Sequence, residues 1–164
     1  MNIMINTNTS LSLFFVLASL VACDDDAKKY TAEFPRFEPL QLKLAENELP
    51  KVGKSVVVEA PQRKMGKHLY EVTYQWTVSG PAEAVQRYGK SNLYTEHTPA
   101  PTDTITFSQS GHYNIVLVAS YEVSGIGKGQ SFTENFPAKM GSAKYDGSAL
   151  RYRVTLERTI DVDD

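Results

Sequence analysis

The side chains able to do chemistry are few and far apart. The chain has one cysteine, Cys23, and three histidines, His68, His97 and His112. No two of the histidines share the close spacing of a metal-binding helix or hairpin, and no second cysteine stands near them, so they read as surface residues. Gly53-Lys54-Ser55 lacks the glycine five residues earlier that a phosphate-cradling loop needs, and it leads into a strand pattern rather than a helix. There is no Gly-x-Ser-x-Gly elbow and no Gly-rich dinucleotide motif. A glycosidase would need two carboxylates across a cleft, and nothing in the sequence pairs any. Asp161-Val162-Asp163-Asp164 alternates carboxylates at an end prone to fray, and Asp146-Gly147 reads as a turn, so neither suggests a calcium site. The expectation is no catalytic residue, no metal and no cofactor.

Cys23 stands out by its position. Residues 1–23 carry no charged side chain, and Leu11–Ala22, LSLFFVLASLVA, is a run of twelve apolar or small residues. A bilayer-spanning helix takes roughly 20 apolar residues, so this run suits the core of a signal peptide instead. The opening MNIMINTNTS lacks the Lys or Arg that usually begins one. Leu20-Val21-Ala22-Cys23 resembles the bacterial lipobox. That resemblance implies residues 1–22 as a lipoprotein signal peptide cut before Cys23, whose thiol would take a diacylglyceryl group and whose new amino terminus would be acylated by a fatty acid such as palmitate. Two or three acyl chains, each adding ~0.8 kcal/mol per buried CH₂, would hold a domain on a membrane. Asp24-Asp25-Asp26 is either a solvated spacer or similar to the acid-rich tags that sort lipoproteins, towards the cell surface in some Gram-negative bacteria and towards the inner membrane in others. The expected address is the cell envelope at the outer membrane, on its periplasmic face or on the cell surface.

Seventeen Lys and Arg against nineteen Asp and Glu leave no strong field of either sign, which argues against capture of nucleic acid. Residues 24–39 mix charge with two prolines and no sustained period, and read as a lipidated tether, 23–39, leading to a domain over 40–164. From there the period is two. Leu40, Leu42 and Leu44 alternate with polar residues; Val56-Val57-Val58 lies between breakers. Tyr70, Val72, Tyr74, Trp76 and Val78 share one face, and Ile105 and Phe107 another. Tyr113, Ile115, Leu117, Ala119, Tyr121 and Val123 form a long apolar face. So do Leu150, Tyr152, Val154, Leu156, Ile160 and Val162, with Arg158 out of pattern. Six such runs separated by Gly, Pro and Ser predict an all-β antiparallel sandwich, with a short helical piece allowed only at Pro81–Tyr88.

Tyr74-Gln75-Trp76-Thr77-Val78-Ser79-Gly80 followed by Gly111-His112-Tyr113-Asn114-Ile115-Val116-Leu117 resembles PKD-like and related immunoglobulin-like modules. The resemblance implies a buried Trp76 on a central strand. It also implies a Tyr113 whose hydroxyl ties back to the backbone at a corner. Ser79-Gly80-Pro81 replaces the Asp-Gly turn usual after the Trp strand.

Two connections exceed what a minimal sandwich needs: 81–103 and 124–148, the second joining strands expected to be neighbours. Residues 124–148 mix glycines with Phe132, Phe136, Met140 and Tyr145 and with Lys128, Lys139 and Lys144. Exposed aromatics beside lysines suit stacking on sugar rings or contact with a protein, which makes Phe132, Phe136, Lys139 and Tyr145 the candidate partner-binding residues. The other reading is a hairpin that folds its aromatics back onto the sandwich. The function expected is a lipid-anchored binding or structural module of the envelope, not an enzyme, recognising a glycan or an envelope protein. The alternatives are a hydrolase assembled from several loops and a scaffolding subunit that pairs through a strand edge.

Overall fold

Alternating side chains put one face of each strand in oil and one in water, and the backbone then pairs wherever another such strand lies alongside. The structure, a computed structural model, describes residues 32–44, 48–81, 85–88, 92–95, 98–123, 131–137 and 140–164. Cys23, Asp24-Asp25-Asp26, His97, Lys128 and Lys139 lie outside the described residues. Twelve strands follow in chain order: β1 Arg36–Phe37, β2 Gln41–Lys43, β3 Ser55–Glu59, β4 Gln62–Lys64, β5 Leu69–Ser79, β6 Val85–Tyr88, β7 Asn92–Leu93, β8 Thr102–Thr106, β9 Gly111–Val123, β10 Phe132–Asn135, β11 Gly141–Asp146 and β12 Arg151–Val162. Every pairing between them is antiparallel. The described chain is therefore all-β, and each of the six predicted runs falls on a strand: β2, β3, β5, β8, β9 and β12.

The strands form a seven-stranded sheet in the order β10-β11-β12-β9-β5-β6, with β7 also on β5, a three-stranded sheet β2-β3-β8, and a two-stranded piece β1-β4. β9 and β12 pair over their whole length, from Gly111↔Val162 to Glu122↔Arg151. The apolar faces of the two larger sheets meet in one core containing Val56, Val58, Ile105 and Phe107 from one side and Trp76, Val78, Ile115, Leu117 and Leu156 from the other. The Phe107 and Tyr113 rings touch there at 4.7 Å. No polar or charged residue is fully buried among the described residues; tyrosines are the largest fully buried side chains.

Two expectations need correcting. Residues 85–88, allowed as helix, are strand β6, paired with Gln75–Val78. The outer edge of β5 offers a row of backbone donors and acceptors, and a strand satisfies them where an isolated short helix cannot. The tether expected over 23–39 ends sooner, because residues 32–39 are packed. Ala32, Pro35 and Phe37 are buried, β1 pairs with β4, and Glu33 and Lys67 exchange backbone hydrogen bonds of 3.0 and 2.9 Å. The segment lacks a simple period because it is a strap, and what it covers is supplied by other strands.

Candidate functional site

The long 124–148 connection holds most of the candidate residues, and much of it is regular. β10 and β11 form a hairpin, Phe132↔Tyr145 to Asn135↔Ser142, and β11 lies against β12. The Phe136 amide donates to the Gly141 carbonyl at 2.9 Å and closes the hairpin. Gly141 has φ +133°, and an added Cβ there would stand 1.9 Å from the Thr155 carbonyl oxygen, so only glycine allows β11 to approach β12 at this point.

Successive pairings align Phe132, Tyr145, Tyr152, Tyr121 and Val72 in one row across five strands. Tyr145, Tyr152 and Tyr121 are buried, while Phe132 at the end of the row remains 41% exposed. The strap lays Phe34 over this row, stacked on Tyr152 at 3.9 Å and tilted against Phe132 at 5.5 Å. Arg36 of β1 fastens the strap to β10 through two 2.6 Å hydrogen bonds from one guanidinium nitrogen to the two carboxylate oxygens of Glu134. Tyr145 was expected as an exposed contact residue; the structure buries it completely, because the odd positions of β11 face the core and Phe34 caps them. Phe136 packs half-buried against the core. Of the expected cluster, only Phe132 presents a substantial apolar face to water among the described residues. The hairpin that folds its aromatics inward is the geometry found.

The opposite, outward face of the hairpin is polar. Thr133, Lys144, Arg153, Ser120 and Thr73 form the neighbouring row across five strands. Lys144 and Arg153 stand directly opposite each other, both exposed. Beside them Arg151 is paired with Glu122 at 2.6 Å. The Asp146 carboxylate accepts from the Ser148 hydroxyl at 2.6 Å and from the Ser148 and Ala149 amides at 3.0 and 3.2 Å. Those bonds, the Ser148 hydroxyl foremost, hold Asp146 below the usual carboxylate range. This is the turn expected at Asp146-Gly147, and it swings the chain from β11 into β12.

Two concave regions flank β12 beyond Leu156, where its pairing with β11 ends. One, of about 590 Å³, lies among Leu40, Asn114, Met140, Glu157 and Arg158. The other, about 310 Å³, has Leu44, Glu48, Leu49, Arg158 and Asp161 in its walls. Arg158, the residue out of pattern, donates at 2.6 Å to the Leu40 carbonyl and so links the two sheets. Glu48 is exposed and Asp161 is paired with His112 on β9. Among the described residues no three His, Cys, Asp or Glu side chains are grouped as a metal site.

At the two positions carried by the sequence resemblance, Trp76 is buried on β5, paired with Leu117 of β9, and Tyr113 opens β9. The Tyr113 hydroxyl donates to the Gln109 carbonyl at 2.9 Å. Gly80 leaves room for that ring: a Cβ there would lie 2.3 Å from it. Comparisons with protein-family models, with curated proteins and with solved structures give no match to this chain.

Proposed function

We propose that the chain is a lipid-anchored module of the bacterial cell envelope, built on a PKD-like or immunoglobulin-like sandwich and serving as a binding or structural element, not as an enzyme. The observation that carries the anchor is the charge-free apolar run ending in Leu20-Val21-Ala22-Cys23. The fold reading is supported by strand order. With β2, β3 and β8 taken as strands A, B and E, and β6, β5, β9 and β12 as C′, C, F and G, the two larger sheets follow the immunoglobulin plan. The buried Trp76 then sits on C, and the hydroxyl of Tyr113, at the start of F, reaches back four residues to the Gln109 backbone. The hairpin β10–β11 is an addition between F and G that widens the sheet. Its exposed Phe132, at the end of an otherwise buried aromatic row, is the contact residue retained for a glycan or an envelope protein.

The test is intact mass and membrane partition of the full chain made in a Gram-negative host, beside Cys23→Ala. Acyl mass on a chain beginning at Cys23, lost in the variant, is the expected result. An unmodified chain that stays in the soluble fraction would sink the anchor while leaving the domain reading untouched.

A further inference from the structure

We infer that the outward face of β11 and β12 holds a site for an oxyanion, a carboxylate or phosphate group, gripped between Lys144 and Arg153. The inference is independent of the anchor and of Phe132, which lies on the other face of the same hairpin.

Like charges directly opposite on neighbouring antiparallel strands repel, since their Cβ atoms are about 4.5–5.5 Å apart. Lys144 and Arg153 are such a pair. A cation at the surface can usually find relief in a nearby carboxylate, but the two carboxylates beside this pair are engaged. Glu122 is held by Arg151, and Oδ1 of Asp146 takes three bonds of its own turn, from the Ser148 hydroxyl and the Ser148 and Ala149 amides. Asp146 feels Lys144 only as the weakest of the influences on its carboxyl. Among the described residues neither Lys144 nor Arg153 has an ion-pair partner.

The same two side chains wall a small depression of about 150 Å³, shared with Asp146, Ala149 and Arg151. That space admits one small charged group rather than a whole ligand. A guanidinium presents a planar fork that matches two oxygens of a carboxylate or phosphate, and the ammonium adds a point charge. Along the row, Thr133 flanks Lys144 and Ser120 flanks Arg153, so hydroxyls that donate or accept stand on both sides of the cations. A bound oxyanion removes the repulsion that the empty pair carries. The chemistry is shared by an acidic sugar and a phosphate ester, and two probes separate them.

Thermal unfolding of the full chain in detergent would compare the wild type with K144Q/R153Q in chloride, inorganic phosphate and glucuronate at equal ionic strength. Phosphate stabilises most proteins by exclusion from their surface, so the informative quantity is the difference between the two proteins. The wild type should gain ~3 °C more than the double variant at an anion concentration well above its dissociation constant. The anion with the larger excess, phosphate or glucuronate, identifies the group recognised. In chloride alone the variant should melt no lower than the wild type, because it has lost a repulsion. Equal gains in both proteins with both anions would overturn the site.

Discussion

Single residues set the closest approaches in this fold, and two of them can be tested directly. Gly141→Ala places a methyl group against the Thr155 carbonyl at a left-handed backbone position. The hairpin must separate from β12 to accept it, at a cost of about 3 kcal/mol or more, read as a lower denaturant midpoint. Tyr113→Phe keeps the ring that packs on Phe107 and removes only the 2.9 Å bond to Gln109. Its cost should be about 1–2 kcal/mol, and a variant as stable as the wild type would show that water replaces the corner bond without loss. The buried tryptophan was legible in the sequence from the alternation of Val72, Tyr74, Trp76 and Val78, and the hydroxyl bond of Tyr113 from the resemblance that Gly-x-Tyr carries. Tyr70, of the tryptophan's run, is exposed because the register shifts between Leu69 and Val72. The glycine opposite Thr155 was not legible, because the need for it comes from a strand that begins ten residues later.

At the scale of elements, the strand-like runs were readable wherever one face is buried and the other wet, as in β5, β9 and β12. Short edge strands escaped, β6 and β7 among them, because they are defined by the partner they complete rather than by their own period. The strap 32–39 escaped for a related reason. Phe34 looks out of place in DDDAKKYTAEFPRFEP until Tyr145 and Tyr152, more than a hundred residues away, supply the surface it stacks on. Tyr145 is hidden for the same reason, since a tyrosine in a glycine-rich connection looks exposed until β11 is known to turn it inward. This arrangement makes a prediction for the hairpin. Phe132→Ala should abolish partner capture while costing only about 1 kcal/mol, because the ring keeps contacts with Phe34 and Tyr145 yet is 41% exposed. A loss of several kcal/mol would assign Phe132 to the core and remove it from the binding surface.

For the molecule as a whole, the lone cysteine of the sequence leaves no intramolecular disulfide, so the fold rests on its core, and that core is rich in tyrosine. Its response to alkali follows from this. Burial raises the hydroxyls of Tyr74 and Tyr152 to about 12 each, and burial pushes Tyr121 well above its ordinary value. In the unfolded chain a tyrosine ionises near 10. Between about 10 and 12 the native state therefore holds more protons than the unfolded one, and stability falls as pH rises. The contribution is complete below pH 10 and is lost as pH climbs through 12. Tyr74 and Tyr121 sharpen the effect, because their hydroxyl oxygens are shielded from water beside each other and a phenolate at either would be buried without a counter-charge. Following tyrosinate absorbance and circular dichroism together through this range should show the late-titrating tyrosines ionising in the same step as the sheet signal collapses. If all nine tyrosines ionised near pH 10 while the sheet signal stayed intact, the aromatic row would be open to water and the core would lie elsewhere.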